Sequence, residues 1–267
     1  MVRFGPSGWS HADWNCVVYP QYKPRGFHPL EHLATHFNLI EIDTSFEQPI
    51  KPEVAKLWLR MVERQPRFQF TALARREFTF DRNLDGQAVK RFKEGLWPLR
   101  QAGKLGCVLM RFPASFRFSK DNRDFLIKLR RTFHPLPLAG EMRHASWLLD
   151  EALGVMMDYQ IGFCNVDQPA GAGAMPPKAV VTSALSYVRL LGRGASDWNQ
   201  EASAANYLYS PAELAEWQGR IERLSVHTAE TYVIAANSRG GKSVVNALQL
   251  STGKKLERSA ASTRHAA

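Results

Sequence analysis

Glu141 and Arg143 stand two residues apart at the end of a short apolar stretch, Leu138-Ala139-Gly140-Glu141-Met142, which follows Pro135 and Pro137. Prolines keep helix out of that approach. The stretch is therefore expected to be a buried strand from Leu138 to Met142, with Arg143 to Trp147 as the loop leaving it. Residues i and i+2 of a strand project to one side, which puts an acid beside a base. Opposite charges at the end of a buried strand are costly unless they are paired or used. The pattern recurs at Leu39-Ile40-Glu41-Ile42-Asp43-Thr44-Ser45-Phe46, where alternation sets Glu41, Asp43 and Ser45 on one face. Arginine suits bidentate recognition of phosphate or carboxylate. A buried carboxyl can be lifted toward neutrality and serve as acid or base. The chemistry these residue types permit is hydrolysis or isomerisation of a small anionic or sugar-like ligand, with Glu41 and Glu141 as the acid/base pair.

The elements that position these residues alternate along the chain. Strands are expected over Arg3–Ser7, Leu39–Ser45, Arg67–Leu73, Leu105–Met110, Leu138–Met142, Ile161–Val166, Tyr187–Leu191 and Glu230–Ala236. The almost continuous apolar run Leu105–Met110 reads as a strand covered on both faces. Helical spacing lies between them at His28–Phe37, from Pro52 through Met61, at Gln87–Leu99 as far as Pro98, and at Asn122–Phe133, Leu148–Tyr159, Pro211–Leu224 and Ser243–Leu250. Strict alternation of strand and helix implies a parallel sheet. Eight units over 267 residues imply an α/β fold closed as a (β/α)8 TIM-barrel-like domain over residues 1–250. An open doubly wound sheet is the competing architecture. A long aromatic loop follows the first strand (Trp9, His11, Trp14, Tyr19, Tyr22), and the Gly- and Pro-rich segment Gln168–Pro177 reads as a flexible loop with the composition of a lid.

Composition narrows the classes. The apolar fraction of 45% permits a sizeable core. Three scattered cysteines, Cys16, Cys107 and Cys164, do not form a disulfide framework and point to a reducing compartment. The start of the chain lacks the apolar core of a signal peptide, and no apolar run reaches the roughly 18 residues of a membrane helix. A cytoplasmic protein without membrane partners is expected. Of the net charge of +10, the polar tail 251–267 carries +3, and it is expected to be mobile. The remaining +7 favours anionic partners, phosphorylated metabolites or nucleic acid. No cofactor is expected. Gly192-Arg193-Gly194 lacks a third glycine in register, and Arg239-Gly240-Gly241-Lys242-Ser243 lacks the first glycine of a phosphate-binding loop.

The chain also resembles the DUF72, or YecE-like, family of uncharacterised TIM-barrel-like proteins. The resemblance is carried in order by Gly5-Pro6-Ser7-Gly8-Trp9 with Trp14 and Tyr19-Pro20, Glu41-Ile42-Asp43-Thr44-Ser45-Phe46, Phe68-Gln69-Phe70, Leu105 to Pro113, Glu141 to Trp147, Tyr187-Val188-Arg189 with Gly192-Arg193, and Asn237 through Asn246-Ala247. It implies a fold and a candidate site but supplies no reaction. The chain departs from the family pattern at His11, Asp43, Glu47, Leu73, Arg111, Leu191 and Ala236. Several departures replace polar groups at strand ends, so the resemblance implies a divergent member with altered or absent chemistry.

Closing a parallel barrel brings the C-terminal strand ends to one mouth. That gathers Ser7, Trp9, Glu41, Asp43, Arg111, Glu141, Arg143, His144, Arg189, Arg193 and Asn237, with Trp147 as a wall. A structural ion network of Glu41 and Glu141 against Arg143 and Arg189 is the bland alternative. A metal cluster of Glu41, Asp43, Glu141, His144 and Asp167 is weaker, because metal-binding histidine spacings are absent, and no metal is expected. A nucleophilic arrangement of Ser7, His144 and Cys164 lacks the sequence setting of one. A nucleic-acid-binding or nuclease-like barrel is the remaining alternative, with Trp9, Trp14, Trp147 and Trp198 as stacking platforms.

Overall fold

The structure is a computed structural model that describes residues 1–194 and 205–263, with 254–263 as backbone alone. Eight strands form one parallel sheet: β1 (Val2–Pro6), β2 (Leu39–Ile42), β3 (Gln69–Leu73), β4 (Leu105–Arg111), β5 (Leu138–Glu141), β6 (Gly162–Asp167), β7 (Leu185–Leu190) and β8 (Glu230–Ala235). From β2 to β8 each strand pairs with the next in sequence, and β8 pairs with β1. Between β1 and β2 the sheet is joined at the mouth by a bridge from Ser7 to Glu41, where Gly8 N donates to Glu41 O at 2.9 Å. Glycine at position 5 permits this seam, since a Cβ there would lie 1.7 Å from Leu39 O. The expected closed (β/α)8 architecture is observed, nearly closed at that seam.

The helices lie between the strands: α1 (Pro29–Ala34), α2 (Pro52–Met61), α3 (Arg76–Thr79), α4 (Gly86–Gln101), α5 (Lys120–Thr132), α6 (Asp150–Asp158), α7 (Pro211–His227) and α8 (Lys242–Thr263). Proline opens α1, α2 and α7, where its missing N–H costs nothing. Ser210 and Glu213 close a capping box on α7. The helix expected to stop at Pro98 continues to Gln101. Leu96 and Leu99, both fully buried, bracket the proline and hold the last turn on the barrel. Helix α8 carries on past Leu250, where the apolar spacing ends. Strand β2 ends at Ile42 rather than Ser45, because the chain turns into a 3-10 turn over Thr44–Phe46. Ser45 then donates to the carbonyls of Ile42 and Leu73, both at 2.8 Å, and leaves the face of Glu41. No helix among the described residues is long and apolar enough to cross a membrane.

The long first loop is fastened to the loop after β8. Trp14 is fully buried and its indole donates to Ser238 O at 2.6 Å, while Gly240 N donates to Asp13 at 2.6 Å. The Tyr19 hydroxyl donates to Trp9 O at 2.6 Å. Inside the barrel, polar side chains rise toward the mouth. Tyr232 donates to Gln69 at 3.0 Å, Thr71 and Tyr187 share a hydrogen bond of 2.8 Å, and Tyr187 donates to Glu41 at 2.7 Å.

Candidate functional site at the barrel mouth

Strands β1, β2, β4, β5 and β7 deliver one connected network of charges to the mouth. Arg189 of β7 lies at its centre. Its Nε is 3.2 Å from both Glu41 oxygens, its Nη2 is 3.0 Å from Glu41 Oε1, and its Nη1 is 3.0 Å from Glu141 Oε2. Ser7 donates to Glu41 Oε1 at 2.6 Å. Glu41 and Glu141 are both completely buried.

The two carboxylates nevertheless differ. Both Glu41 oxygens accept hydrogen bonds, from Ser7, Tyr187 and Arg189. Glu141 Oε1 accepts none from the described residues and faces Arg111 Nε at 3.6 Å and Arg143 Nη1 at 3.9 Å. The expectation that burial lifts Glu41 toward neutrality is reversed. Burial does push its carboxyl up, but the Arg189 charge and the hydrogen bonds from Arg189, Ser7 and Tyr187 outweigh it and hold the group below the ordinary glutamate value. Burial likewise opposes the Arg189 charge, and the two glutamates outweigh it.

Arg111 and Arg143 also line a cavity of about 400 Å³. Its remaining wall includes Phe46, Phe80, Pro113 and Ala114, so it sits over the ends of β2 to β5. The Arg111 guanidinium stacks 4.8 Å from the centre of the Phe46 ring, and Phe46 and Phe80 meet edge to face at 5.5 Å. Gln168 holds Arg143 in place. It accepts from Arg143 Nε and donates to Arg143 O at 2.9 Å. The Gly-rich segment expected to act as a lid is fastened beside it. Ala145 N donates to Gly173 O at 2.9 Å, Met175 N donates to Arg143 O at 2.8 Å, and His144 bridges to Ala174.

Asp43 stands at the rim, half-buried, with His11 Nε2 at 3.5 Å. The same ring nitrogen is 3.0 Å from Ser7 O. Gly8 is in the left-handed region at φ +74°, and a Cβ there would meet both Asp43 and His11 within 2.5 Å. Burial raises the Asp43 carboxyl, against the pull of His11 and with the push of Glu41.

The other expected site residues are committed elsewhere. Trp9 packs against Trp58 of α2 at 5.0 Å and Phe70 of β3 at 6.4 Å. Trp147 is fully buried, stacks on Phe116 at 5.3 Å and donates to Phe116 O at 2.7 Å. Neither tryptophan walls the cavity. Arg193 belongs to a second ion network, paired in fork fashion with Asp167 at 2.8–3.1 Å and with Glu213 at 2.9 Å, while the Trp217 indole donates to Asp167. Asn237 is buried and donates to Tyr207 O at 2.7 Å and to Asn246 at 2.9 Å. His144 accepts from Ser146 N at 3.2 Å, capping its own turn, and burial followed by the charge of Arg117 lowers its imidazole pKa.

These placements also dispose of two groupings. Arg189 separates Glu41 from Glu141 and Arg193 occupies Asp167, so the five-residue metal grouping does not assemble. Among the described residues no group of three or more His, Cys, Asp or Glu is placed to hold a metal. Ser7 is bound to Glu41, and Cys164 is fully buried with its thiol pushed well up by burial and by Glu141. The nucleophilic arrangement does not form either.

Tyr187, Thr71, Gln168, Phe46 and Phe80 belong to the site and were not singled out for it from sequence. Tyr187 carries the same signal as Glu141, a polar residue two before an arginine on a strand. The others carry none.

The model of the family described as protein of unknown function DUF72 matches residues 3–266. The chain belongs to the DUF72 family. It is 26% identical over 271 residues to the UPF0759 protein YunF of Bacillus subtilis strain 168, covering 94% of this chain and 93% of that one. The crystal structure of a DUF72 family protein from Thermotoga maritima MSB8 superposes with a TM-score of 0.81 at 30% identity, covering 96% of this chain and 99% of the other. One from Enterococcus faecalis V583 gives a TM-score of 0.82 at 26% identity, covering 94% of both chains.

Proposed function

We propose that this DUF72 barrel binds a small anionic or sugar-like ligand at its C-terminal mouth, held by Arg111 and Arg143, with Glu141 as the group that exchanges a proton with it. The observation that carries this reading is the cavity of about 400 Å³ lined by Arg111 and Arg143, whose guanidiniums lie 3.6 and 3.9 Å from Glu141 Oε1. Sites of (β/α)8 barrels are built at this end, and cavities of some hundreds of Å³ with a few convergent polar groups are the ordinary form of a small-molecule site. Hydrolysis or isomerisation by acid/base chemistry is the reaction class that fits a carboxylate beneath two guanidiniums. An incoming anion competes with Glu141 for Arg111 and Arg143, and Oε1 is then the atom positioned to accept a proton.

Glu41 has a different part in this reading. With its oxygens occupied by Arg189, Ser7 and Tyr187, it fixes Arg189 and through it the orientation of Glu141. Stacking of nucleic-acid bases loses its support at Trp9, Trp14 and Trp147, which are buried in packing. Trp198 lies outside the described residues.

The test is the melting temperature of wild type and Arg143→Ala against sugar phosphates, nucleotides, carboxylates and divalent metals. A ligand that binds the folded state raises the melting point by mass action. A rise with one anionic class that disappears in Arg143→Ala is the expected result. No rise with any ligand, together with a variant that merely melts earlier, would leave the network a structural one.

A further inference from the structure

We infer that the outer face of the barrel over α2, α4 and α5 is a binding surface for single-stranded nucleic acid. This surface is separate from the mouth and uses neither Arg111 nor Arg143.

The charge of the chain is unevenly placed. Residues 51–131 hold 20 of the 35 lysines and arginines but 8 of the 25 acids, a net +12 in a chain of +10. The tail 251–267 adds +3, which leaves −5 for all the rest. The fold turns this stretch into one side of the molecule. Helices α2, α4 and α5 join β2 to β3, β3 to β4 and β4 to β5, so they follow one another around the barrel. Gly95 of α4 lies against Ile50, just before α2, where a Cβ would come within 2.1 Å of Ile50 O. Phe92 of α4 meets Phe133, which ends α5, at 5.7 Å. Each helix turns its apolar stripe inward, with Trp58, Leu96 and Leu129 buried. The cations take the opposite side. Lys56 and Arg60 stand one turn apart on α2 with Arg64 just beyond its end, Arg100 lies on α4, and Lys128 and Arg131 lie three apart on α5. All six are exposed, and among the described residues none has an acidic partner. Two acids of the same helices are spent on local pairs, Glu94 with Lys90 at 3.9 Å and Asp124 with Arg123 at 3.0 Å. Unpaired like charges gathered on one face repel, and a polyanion that displaces their counterions relieves the repulsion.

Trp97 decides which polyanion fits. It is the exposed tryptophan among the described residues, 54% exposed on the middle helix of the face. Lys93 precedes it by four residues and Arg100 follows it by three, so all three share one helical stripe. An unpaired base can stack on such a ring while the flanking cations hold its phosphates. A duplex keeps its base faces covered, and a lipid headgroup has none. Beside α5, Lys128 and Arg131 line a groove of about 310 Å³ whose wall also includes Tyr159 and Asp124. Tyr159 gives a second ring beside a pair of cations.

The experiment is fluorescence anisotropy of a labelled oligothymidylate of about a dozen nucleotides titrated with the full chain. Six phosphate contacts on a single strand should weaken binding roughly 300-fold between about 50 and 200 mM salt. Lys56→Glu with Arg60→Glu, and separately Lys128→Glu with Arg131→Glu, should each weaken it by about tenfold or more. Trp97→Ala should cost about tenfold and leave the salt dependence as it is, which separates stacking from charge. Arg223→Glu, an exposed cation of α7 across the barrel, should change nothing. Melting temperatures equal to wild type show that these surface changes leave the fold intact, and the α2 and α5 pairs test the face independently. Absence of binding, or binding that survives both charge reversals, would overturn the surface. A duplex of the same length bound as tightly as the single strand, with Trp97→Ala silent, would overturn the single strand. Sedimentation with vesicles of anionic phospholipid without binding of the oligonucleotide would overturn nucleic acid in favour of a membrane surface.

Discussion

Glu41 and Glu141 come from two strands of one barrel, are equally buried and are bridged by the same arginine, yet their surroundings are opposite in kind. Glu41 is enclosed by Ser7, Tyr187 and Arg189, so its charge is satisfied in place. Glu141 spends one oxygen on Arg189 and turns the other toward two arginines that border open space. Burial alone therefore does not mark a functional carboxylate. What separates the two is whether the remaining lone pairs are already claimed. A carboxylate whose oxygens all accept hydrogen bonds is part of the frame, whereas Glu141 keeps one oxygen that accepts none from the described residues.

The strongest way to break this comparison is to remove the shared cation. Arg189→Met leaves two buried carboxylates without their common partner and should cost about 3–5 kcal/mol in denaturant unfolding. A loss below about 1 kcal/mol would mean that the frame does not depend on this pair. Ser7→Ala and Tyr187→Phe each remove one donor to Glu41 and should cost about 2 kcal/mol. Because both act on one carboxylate, their effects should not add, and a double-mutant cycle measures the coupling. The acid limb sharpens the point. The Glu41 carboxyl is lower in the folded chain than its ordinary value. Its stabilisation is complete above the unfolded value of about 4.3 and is lost as pH falls through the folded one. Either substitution should move acid unfolding to higher pH.

Much of the frame was legible because it is periodic. Alternation of apolar strands with helical spacing is repeated eight times, and it specifies a parallel barrel without reference to any distant contact. The pairing of Glu141 with Arg143 was legible for the same reason, since two residues apart on a strand means one face. Periodicity fails where the strand does. Ser45 drops out of phase with Glu41 because β2 gives way to a 3-10 turn after Ile42. Loop tryptophans have no period at all, so Trp9 was expected at the mouth and Trp147 as its wall, and both proved to be packing. The saturation of Glu41 was illegible because its donors come from Ser7 and Tyr187, 34 and 146 residues away in sequence. Only barrel closure brings those strands around one interior.

Asp43 offers the smallest test and one of opposite sign. It stands two residues beyond Glu41, but burial raises its carboxyl instead of seeing it lowered, with Glu41 adding to the rise and His11 opposing it. An acid whose folded value is raised takes up its proton more readily folded than unfolded. Its ionisation therefore costs stability, and that cost is absent below the unfolded value and complete above the folded one. Asp43→Asn removes the titration and should raise stability near neutral pH by on the order of 0.5 kcal/mol, with the gain fading as the solution is taken toward about pH 4. Melting curves of both chains across that range measure it. Wild type remaining the more stable chain at neutral pH would mean that the 3.5 Å contact with His11 outweighs burial. Asp43 would then join Glu41 in the frame.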